Sequence, residues 1–423
     1  VTISQTMQNG TSLQSGPVRT GPELRARMRR TQRRMVLVSL ALVAPVVLFL
    51  TVFFVVPIIQ MLTMAVYDRS ITDGLPRTAA IIGSWDREDL PEEEIYAAIA
   101  QDLIEGQQSR ALAGPARRLN QEISGYRTVI FGTARSLPDT PETTWRDTLI
   151  AADARWGDMK HLIILQRAAS PLTDYYALYA LDLERDLQDT IRLQAVDERL
   201  FLSLVQRTLI IALSVTLVCL VMGYPVAYLL ANLDGTLKYV LLILVLLPFW
   251  TSLLVRTAAW IVVLQTEGLA NTFFLWSGLT SEPIRMIYNR FGTVIVMSQV
   301  LLPFMILPLY AVMGNVSPWH MRAAQSLGAS FSTAFRRVYL PQTIPGVAAG
   351  TLLVFMLSIG YYITPALVGG AGDQMLSYFI AFYANETVNW GLAAALGTLL
   401  MVIVLSMFLV YNWVFGLDNM KMN

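Results

Sequence analysis

Long stretches of this chain carry no charge, and that limits its fold more than any other feature. An ionised side chain at the centre of a bilayer is expensive, and one helical crossing needs roughly 20 mostly apolar residues. No Asp, Glu, Lys or Arg occurs between Arg34 and Asp68, Arg207 and Asp234, Arg290 and Arg322, Arg337 and Asp373, or Glu386 and Asp418. Each of these gaps is long enough for a crossing. A sixth, Tyr239 to Gln265, is interrupted only by Arg256. Two shorter uncharged pieces, Gly268 to Ser281 and Gln374 to Asn385, fall below spanning length and read as interfacial or re-entrant helices. Composition agrees: 55% of residues are hydrophobic and 14% charged, with a mean hydropathy of +0.51. The expectation is an all-α, six-span polytopic membrane protein, with no acidic residue inside any span.

The same counts exclude several chemistries. With 31 basic and 30 acidic residues, the net charge of +1 gives no basic field for nucleic acid. The single cysteine, Cys219, forbids an intrachain disulfide, and His161 and His320 lie too far apart in sequence to suggest a Cys/His metal cluster. No metal site and no catalytic residue are expected. The lysines, Lys160, Lys238 and Lys421, never follow a glycine, so a phosphate-binding loop with a Gly-Lys core cannot be written. Any ATP is hydrolysed on another subunit.

Orientation follows from basic residues beside the spans, because short loops rich in Lys and Arg stay cytoplasmic. Arg25, Arg27, Arg29, Arg30, Arg33 and Arg34 precede the first span, and Arg322, Arg336 and Arg337 lie in the loop between the fourth and fifth. Both flanks are expected in the cytoplasm, and Lys421 fits a C-terminus on that side. The first uncharged run is too long for the apolar region of a signal peptide and lacks a small-x-small cleavage site. The resulting division is a cytoplasmic tail over 1–34, partly disordered; a first span over 35–67; an insert over 68–199; and a transmembrane core over 200–423 with a cytoplasmic loop at 316–342.

The insert has a different character. It holds 15 basic and 23 acidic residues, net −8, and reads as a small, mainly helical periplasmic domain. Pro91 followed by Glu92, Glu93 and Glu94 starts a helix, and Gly114-Pro115 precedes another that runs to about Arg135. A third begins near Pro141, with Trp145, Leu149, Ala152, Trp156 and Met159 at helical spacing. Leu178, Leu181, Leu187, Ile191 and Leu193 suggest a further amphipathic helix leading to the second span. The acidity reads as a solvated surface or as a docking or cation-concentrating face.

The loop 316–342 carries the most specific pattern. Ser317-Pro318 sets a capping residue before a proline at the first helical position, Gly328 supplies a stop, and a second short helix runs to Leu340-Pro341. Two small exposed helices joined at a glycine are suited to lying in a partner's groove. As a string, Ala323-Ala324, three residues, Gly328, nine residues, Val338, one residue and Leu340-Pro341 resembles the EAA signature of ABC-importer permeases. The runs Pro248 to Thr257 and Gly360 to Gly370 are similar to segments of spermidine/putrescine-type permeases, so the resemblance extends over roughly residues 200 to 415.

That resemblance implies a type I importer permease core in a bacterial inner membrane, with transport of a polyamine or a related amine-bearing organic cation. It implies a coupling helix between Arg322 and Pro341 that docks on an ATP-binding subunit. The implied partners are two such subunits holding ATP and Mg, a second permease subunit giving a heterodimer, a periplasmic substrate-binding protein, and membrane lipid. No cofactor belongs to this chain. Arg322 stands where the family usually has glutamate, which implies a complementary charge on the partner. The insert is longer than that group leads one to expect.

Candidate residues for a path or gate are fewer. Arg256 is the one charge inside a span, facing either a cavity or a structural partner such as a backbone carbonyl or Glu267. Glycine and proline between Tyr361 and Gly370, together with Thr364 and Pro365, break the fifth span near its outer end and make gate material. Trp250, Trp260, Tyr361 and Tyr362 could hold an organic cation by cation–π contact or belong to interfacial belts. Two other classes share parts of this layout: a membrane receptor with a helical sensor domain, and a secondary transporter. The first lacks a cytoplasmic signalling domain, and the second usually has repeats and intramembrane acids.

Overall fold

In the computed structural model, residues 22–415 are described; of the tail expected to be partly disordered, 1–34, residues 1–21 lie outside them, as does Lys421. Among the described residues six helical runs are long and apolar enough to cross a membrane: Val38–Thr63, Phe201–Asn232, Leu253–Trp276, Arg290–Met313, Phe331–Gly360 and Trp390–Trp413. The chain divides into two compact units between Gln60 and Met61. The helix Pro22–Leu50 widens into a π turn, Thr51–Val55, before continuing as Val56–Thr63, which runs across that division. Pro57 causes this. It has no N–H and its ring crowds the carbonyl four residues back, so the helix swells ahead of it and the Val56 N–H donates to Thr51 O instead.

The second unit contains the insert and the remaining spans. The insert is a helical domain around one apolar core, in which Trp156, Tyr96 and Tyr126 are fully buried beside Ile99, Leu103, Leu119 and Ile130. Each buried ring satisfies its polar end: Trp156 Nε1 donates to Thr133 Oγ1 at 2.9 Å, Tyr96 Oη to Trp156 O at 2.9 Å, and Tyr126 Oη to His161 O at 3.0 Å. The first expected helix forms as Glu93–Ser109; the third, capped by Thr144, forms only over Trp145–Ala152, because the chain turns extended at Asp153, which leaves Trp156 in a 3-10 turn and Met159 at the start of a separate helix, Met159–Ala169. The second divides into Ala113–Glu122 and Tyr126–Ser136 at Gly125, whose N–H donates to the Asn120 side chain.

The expected helix over Leu178 to Leu193 does not form. A short helix, Tyr175–Tyr179, is followed by an antiparallel hairpin pairing Leu183–Arg185 with Ile191–Leu193. Asp186 is the reason: its carboxylate accepts the N–H groups of Gln188 and Thr190 and the Thr190 hydroxyl, closing a turn that a helix would have to open. Leu187, Ile191 and Leu193 are left exposed.

Two seams fasten the insert to the spans. Asp182, fully buried, accepts the N–H groups of Leu200, Phe201 and Leu202 at 3.0, 2.9 and 2.7 Å, so a carboxylate from the insert caps the start of the second span. At the other seam Tyr176 Oη donates to Asp68 at 2.6 Å, while buried Arg118 pairs with Asp68 and Glu122. The Tyr176 ring lies on Gly391 at the start of the sixth span, where an added Cβ would come within 2.4 Å of the ring. Burial pushes the Asp68 carboxyl up, yet hydrogen bonds from Ser70 and Tyr176 and the Arg118 charge outweigh it and hold its pKa below the usual carboxylate range.

The transmembrane core is built on the second, fourth and fifth spans, with Val215, Cys219, Leu301, Met305, Leu309 and Val354 buried between them. The third crossing is not one rod. Its pieces are Thr236–Leu246 with a 3-10 turn to Trp250, then Leu253–Leu264, then Leu269–Trp276. The sequence reading of Tyr239 to Gln265 as one span therefore straddles a break at Thr251 and Ser252. The piece read as separate and interfacial joins the run Leu253–Trp276, and that run includes Glu267, contrary to the expectation of spans free of acids. Pro248 and Gly268 explain both interruptions.

Candidate functional site

The fourth span ends at Met313, and the helix Pro318–Ser326 follows, with Ser317 Oγ accepting the Trp319 N–H at 3.4 Å. Its end is closed by Leu327 N–H donating to Ala323 O, Gly328 N–H to Gln325 O and Ala329 N–H to Ala324 O. Gly328 has φ +92°, left-handed backbone where a β-branched side chain is strained, and this is what turns the chain. Ser330 then caps a helix beginning at Phe331.

The second short helix does not stop at Leu340-Pro341. It passes through a π turn, Phe335–Tyr339, directly into the fifth span, and the run Phe331–Gly360 is continuous. The device is the one seen ahead of Pro57: the Leu340 N–H donates to Phe335 O, and the missing N–H of Pro341 is absorbed. The loop thus has one free helix and one helical extension of a span.

Its two faces differ. Met321 packs on the transmembrane core, and the rings of Phe331, Phe335 and Tyr339 stack along the extension with centroids 6.2 and 5.4 Å apart. Tyr228, from the second span, meets Phe335 edge-on at 5.7 Å. His320 Nδ1 and Gln342 Oε1 lie 2.8 Å apart and tie the helix to the fifth span. The outer face presents Trp319, Arg322, Ala323 and Leu327, the last 90% exposed, with the Arg322 guanidinium 4.9 Å from the Trp319 ring centroid. Of the sequence-derived residues, Arg322, Ala323, Ala324 and Gly328 occupy this helix and its turn; Val338, Leu340 and Pro341 lie at the base of the fifth span. Trp319, Met321, Leu327 and Phe331 were not singled out, although the apolar spacing after Ser317-Pro318 carried a signal for them.

Arg256 sits just beyond the break in the third crossing. Its guanidinium donates to Pro248 O, to Thr251 O at 3.1 Å and to Thr251 Oγ1 at 3.2 Å, so it braces the interruption alongside the Thr251 N–H and hydroxyl, which also donate to Pro248 O. Glu267 is not among its partners. Trp260 Nε1 donates to Gln299 Oε1 at 3.2 Å, and the buried hydroxyls of Thr257 and Thr364 are 3.5 Å apart. The fifth span ends at Gly360; a short helix, Ile363–Val368, carries buried Thr364 and Pro365, and Ser377 Oγ donates to Tyr361 O at 2.6 Å. Trp250 and Tyr362 are exposed, and among the described ring contacts none joins Trp250, Trp260, Tyr361 or Tyr362 to one another. The structure therefore sets Thr364 against Thr257 of the third crossing and Trp260 against Gln299 of the fourth span, and leaves Trp250 and Tyr362 outward. Among the described residues no group of three or more His, Cys, Asp or Glu side chains is placed to hold a metal ion.

Residues 223–415 match the family described as "Binding-protein-dependent transport system inner membrane component". The chain is 35% identical over 224 residues to the spermidine/putrescine transport system permease protein PotB of Salmonella typhimurium (strain SL1344), covering 53% of this chain and 78% of that protein. To PotB of Escherichia coli (strain K12) it is 36% identical over 212 residues, covering 50% and 77%. Among solved structures, a bacterial ABC transporter involved in the import of the acidic polysaccharide alginate aligns with 19% identity and a TM-score of 0.41, over 51% of this chain and 78% of that one. The insert at 68–199 lies outside the residues matched to the family.

Proposed function

The chain belongs to the inner membrane components of binding-protein-dependent transport systems and is a permease subunit of an ABC importer, and from that premise we propose that it carries a polyamine or a related amine-bearing solute. It is not an enzyme; ATP is hydrolysed on a separate subunit. The receptor and secondary-transporter readings are set aside with that membership. The observation that supports the substrate is the relatives' printed role: both carry spermidine and putrescine in their names, and this chain covers 78% and 77% of their lengths.

We infer a bacterial inner-membrane complex of this chain, a second permease subunit, two ATP-binding subunits and a periplasmic binding protein. ATP and Mg sit on the ATP-binding subunits, and this chain needs no cofactor. Apolar side chains left exposed on the second span and beside the break in the third, such as Leu217, Val221, Leu254 and Val255, support burial against lipid or a second permease. The outer face of Pro318–Ser326 supports docking on an ATP-binding subunit, whose closure would swing the spans fastened to it. Trp260, Thr364, Pro365 and Tyr361 line the part of the core proposed as path or gate, with Arg256 bracing the break beside them.

Uptake by the reconstituted complex with its cognate binding protein tests the cargo, over a panel of putrescine, spermidine, amino-acid derivatives, sugars and ferric iron. Uptake of putrescine or spermidine is expected. A response confined to sugars or iron removes the substrate class and leaves the importer permease in place.

A further inference from the structure

The loop that faces the ATP-binding subunit carries one sign of charge. From Val316 to Gln342 there are three arginines, Arg322, Arg336 and Arg337, and no aspartate or glutamate. Among the described residues no carboxylate lies within ion-pair distance of any of the three. Arg336 and Arg337 are on the π turn against which Pro318–Ser326 packs, so all three charges belong to one end of the molecule. Arg322 is exposed, with its guanidinium over the Trp319 ring at 4.9 Å, and that stacking steadies a flexible side chain on the outer face. Leu327 and Phe331, 90% and 58% exposed, offer apolar side chains on the same loop.

Exposed apolar side chains on the same loop as a pre-positioned guanidinium fit a groove with an apolar floor and a carboxylate at its edge. An arginine buried opposite a neutral or basic wall would lose its hydration with nothing in return. We propose that the ATP-binding subunit receiving this loop has an acidic groove, with a carboxylate paired to Arg322, and that this pairing selects the cognate subunit over ones with a neutral or basic groove. The proposal rests on the docking role assigned above and adds the chemistry of the partner. Anionic lipid is the competing occupant. Against it, the fourth and fifth spans pack together and both end at this loop, which places the helix beyond the end of their bundle, and Met321 turns the inner face back to the core.

The test is co-purification of the ATP-binding subunit with the complete transporter in detergent. Wild-type permease is expected to retain the subunit at low salt and to lose it progressively as salt rises. Arg322→Glu is expected to reduce the retained subunit by about tenfold or more, the scale of a close interfacial charge pair, and Arg322→Lys to retain most of it. Changing one acidic groove residue of the ATP-binding subunit to Lys is expected to restore binding to Arg322→Glu. Undiminished retention with Arg322→Glu overturns the charge pairing while docking stands. Retention lost with Arg322→Glu but rescued by no groove reversal also overturns it, as does weaker binding of the variant to phosphatidylglycerol vesicles with ATP-binding subunit retention unchanged, which assigns the arginine to lipid. If wild-type permease retains no ATP-binding subunit at any salt concentration, the docking role itself fails, and the pairing with it.

Discussion

Asp182 shows how much one side chain can hold. It gives its carboxylate to three N–H groups at the head of the second span, and the alternative for the Phe201 N–H among them is burial without a partner. Asp182→Ala is expected to cost about 1.5–3 kcal/mol, the range for hydrogen bonds to a charged group. Limited proteolysis of the purified protein should then cut between residues 181 and 199 sooner than in wild type. Asp68 adds a dependence on pH. Its folded pKa is depressed, so its stabilisation is complete above the ordinary carboxylate value of about 3.9 and disappears as pH falls through the folded value. Protease sensitivity at the seam formed by Asp68, Arg118 and Tyr176 is expected to be flat from neutral pH down to about 4 and to rise below it. Asp68→Asn should already be sensitive at neutral pH.

Elements fail where backbone groups lose their partners. Arg256 bonds the Pro248 and Thr251 carbonyls at the break after Trp250, and removing it takes away the hydrogen bond that Thr251 O accepts, while Pro248 O keeps those from the Thr251 N–H and hydroxyl. Arg256→Leu is expected to destabilise the purified complex by about 1–3 kcal/mol, with Arg256→Lys intermediate, as read by thermal unfolding. Full thermal stability with transport abolished would instead place Arg256 on the path. At the loop, Gly328→Val forces a β-branched residue to φ +92°. The turn should open, and the ATP-binding subunit should co-purify less, while the spans insert normally. Unaltered assembly and uptake would remove Gly328 from the coupling role.

For the whole molecule the open question is orientation, and the structure offers clean reporters. The native cysteine, Cys219, is buried, so introduced cysteines are read against a quiet background. Ser109 is exposed at the end of a helix of the insert, and Ser326 is exposed on the helix of the loop. Placement of arginines predicts that Ser109→Cys reacts with an impermeant maleimide in intact spheroplasts and that Ser326→Cys reacts only after the membrane is opened. The reverse pattern would invert the topology and move the insert to the cytoplasm.

Charge gaps located five of the six hydrophobic crossings, because the cost of an ion in a bilayer is set by the solvent and needs no knowledge of neighbours; the third, which holds Arg256 and Glu267, they placed across a break. For the same reason the capping residue Ser317, the stop at Gly328 and the loop's lack of acids were legible: caps, turns and net charge are local properties. Helix continuity was not. Pro341 reads as a stop, yet the π turn ahead of it carries the helix into the fifth span, and packing of Phe335 and Tyr339 on Tyr228 rewards that course. The period of Leu178 to Leu193 reads as helix, but Asp186 closes a hairpin and Asp182 is spent on the second span some 20 residues on in the chain, a partner no local window contains. The partners of Tyr176, Asp68 and Gly391, were likewise decided by the tertiary structure, since a side chain bonds whatever the fold brings within reach, whereas the backbone carbonyls that Arg256 bonds lie close by in the chain.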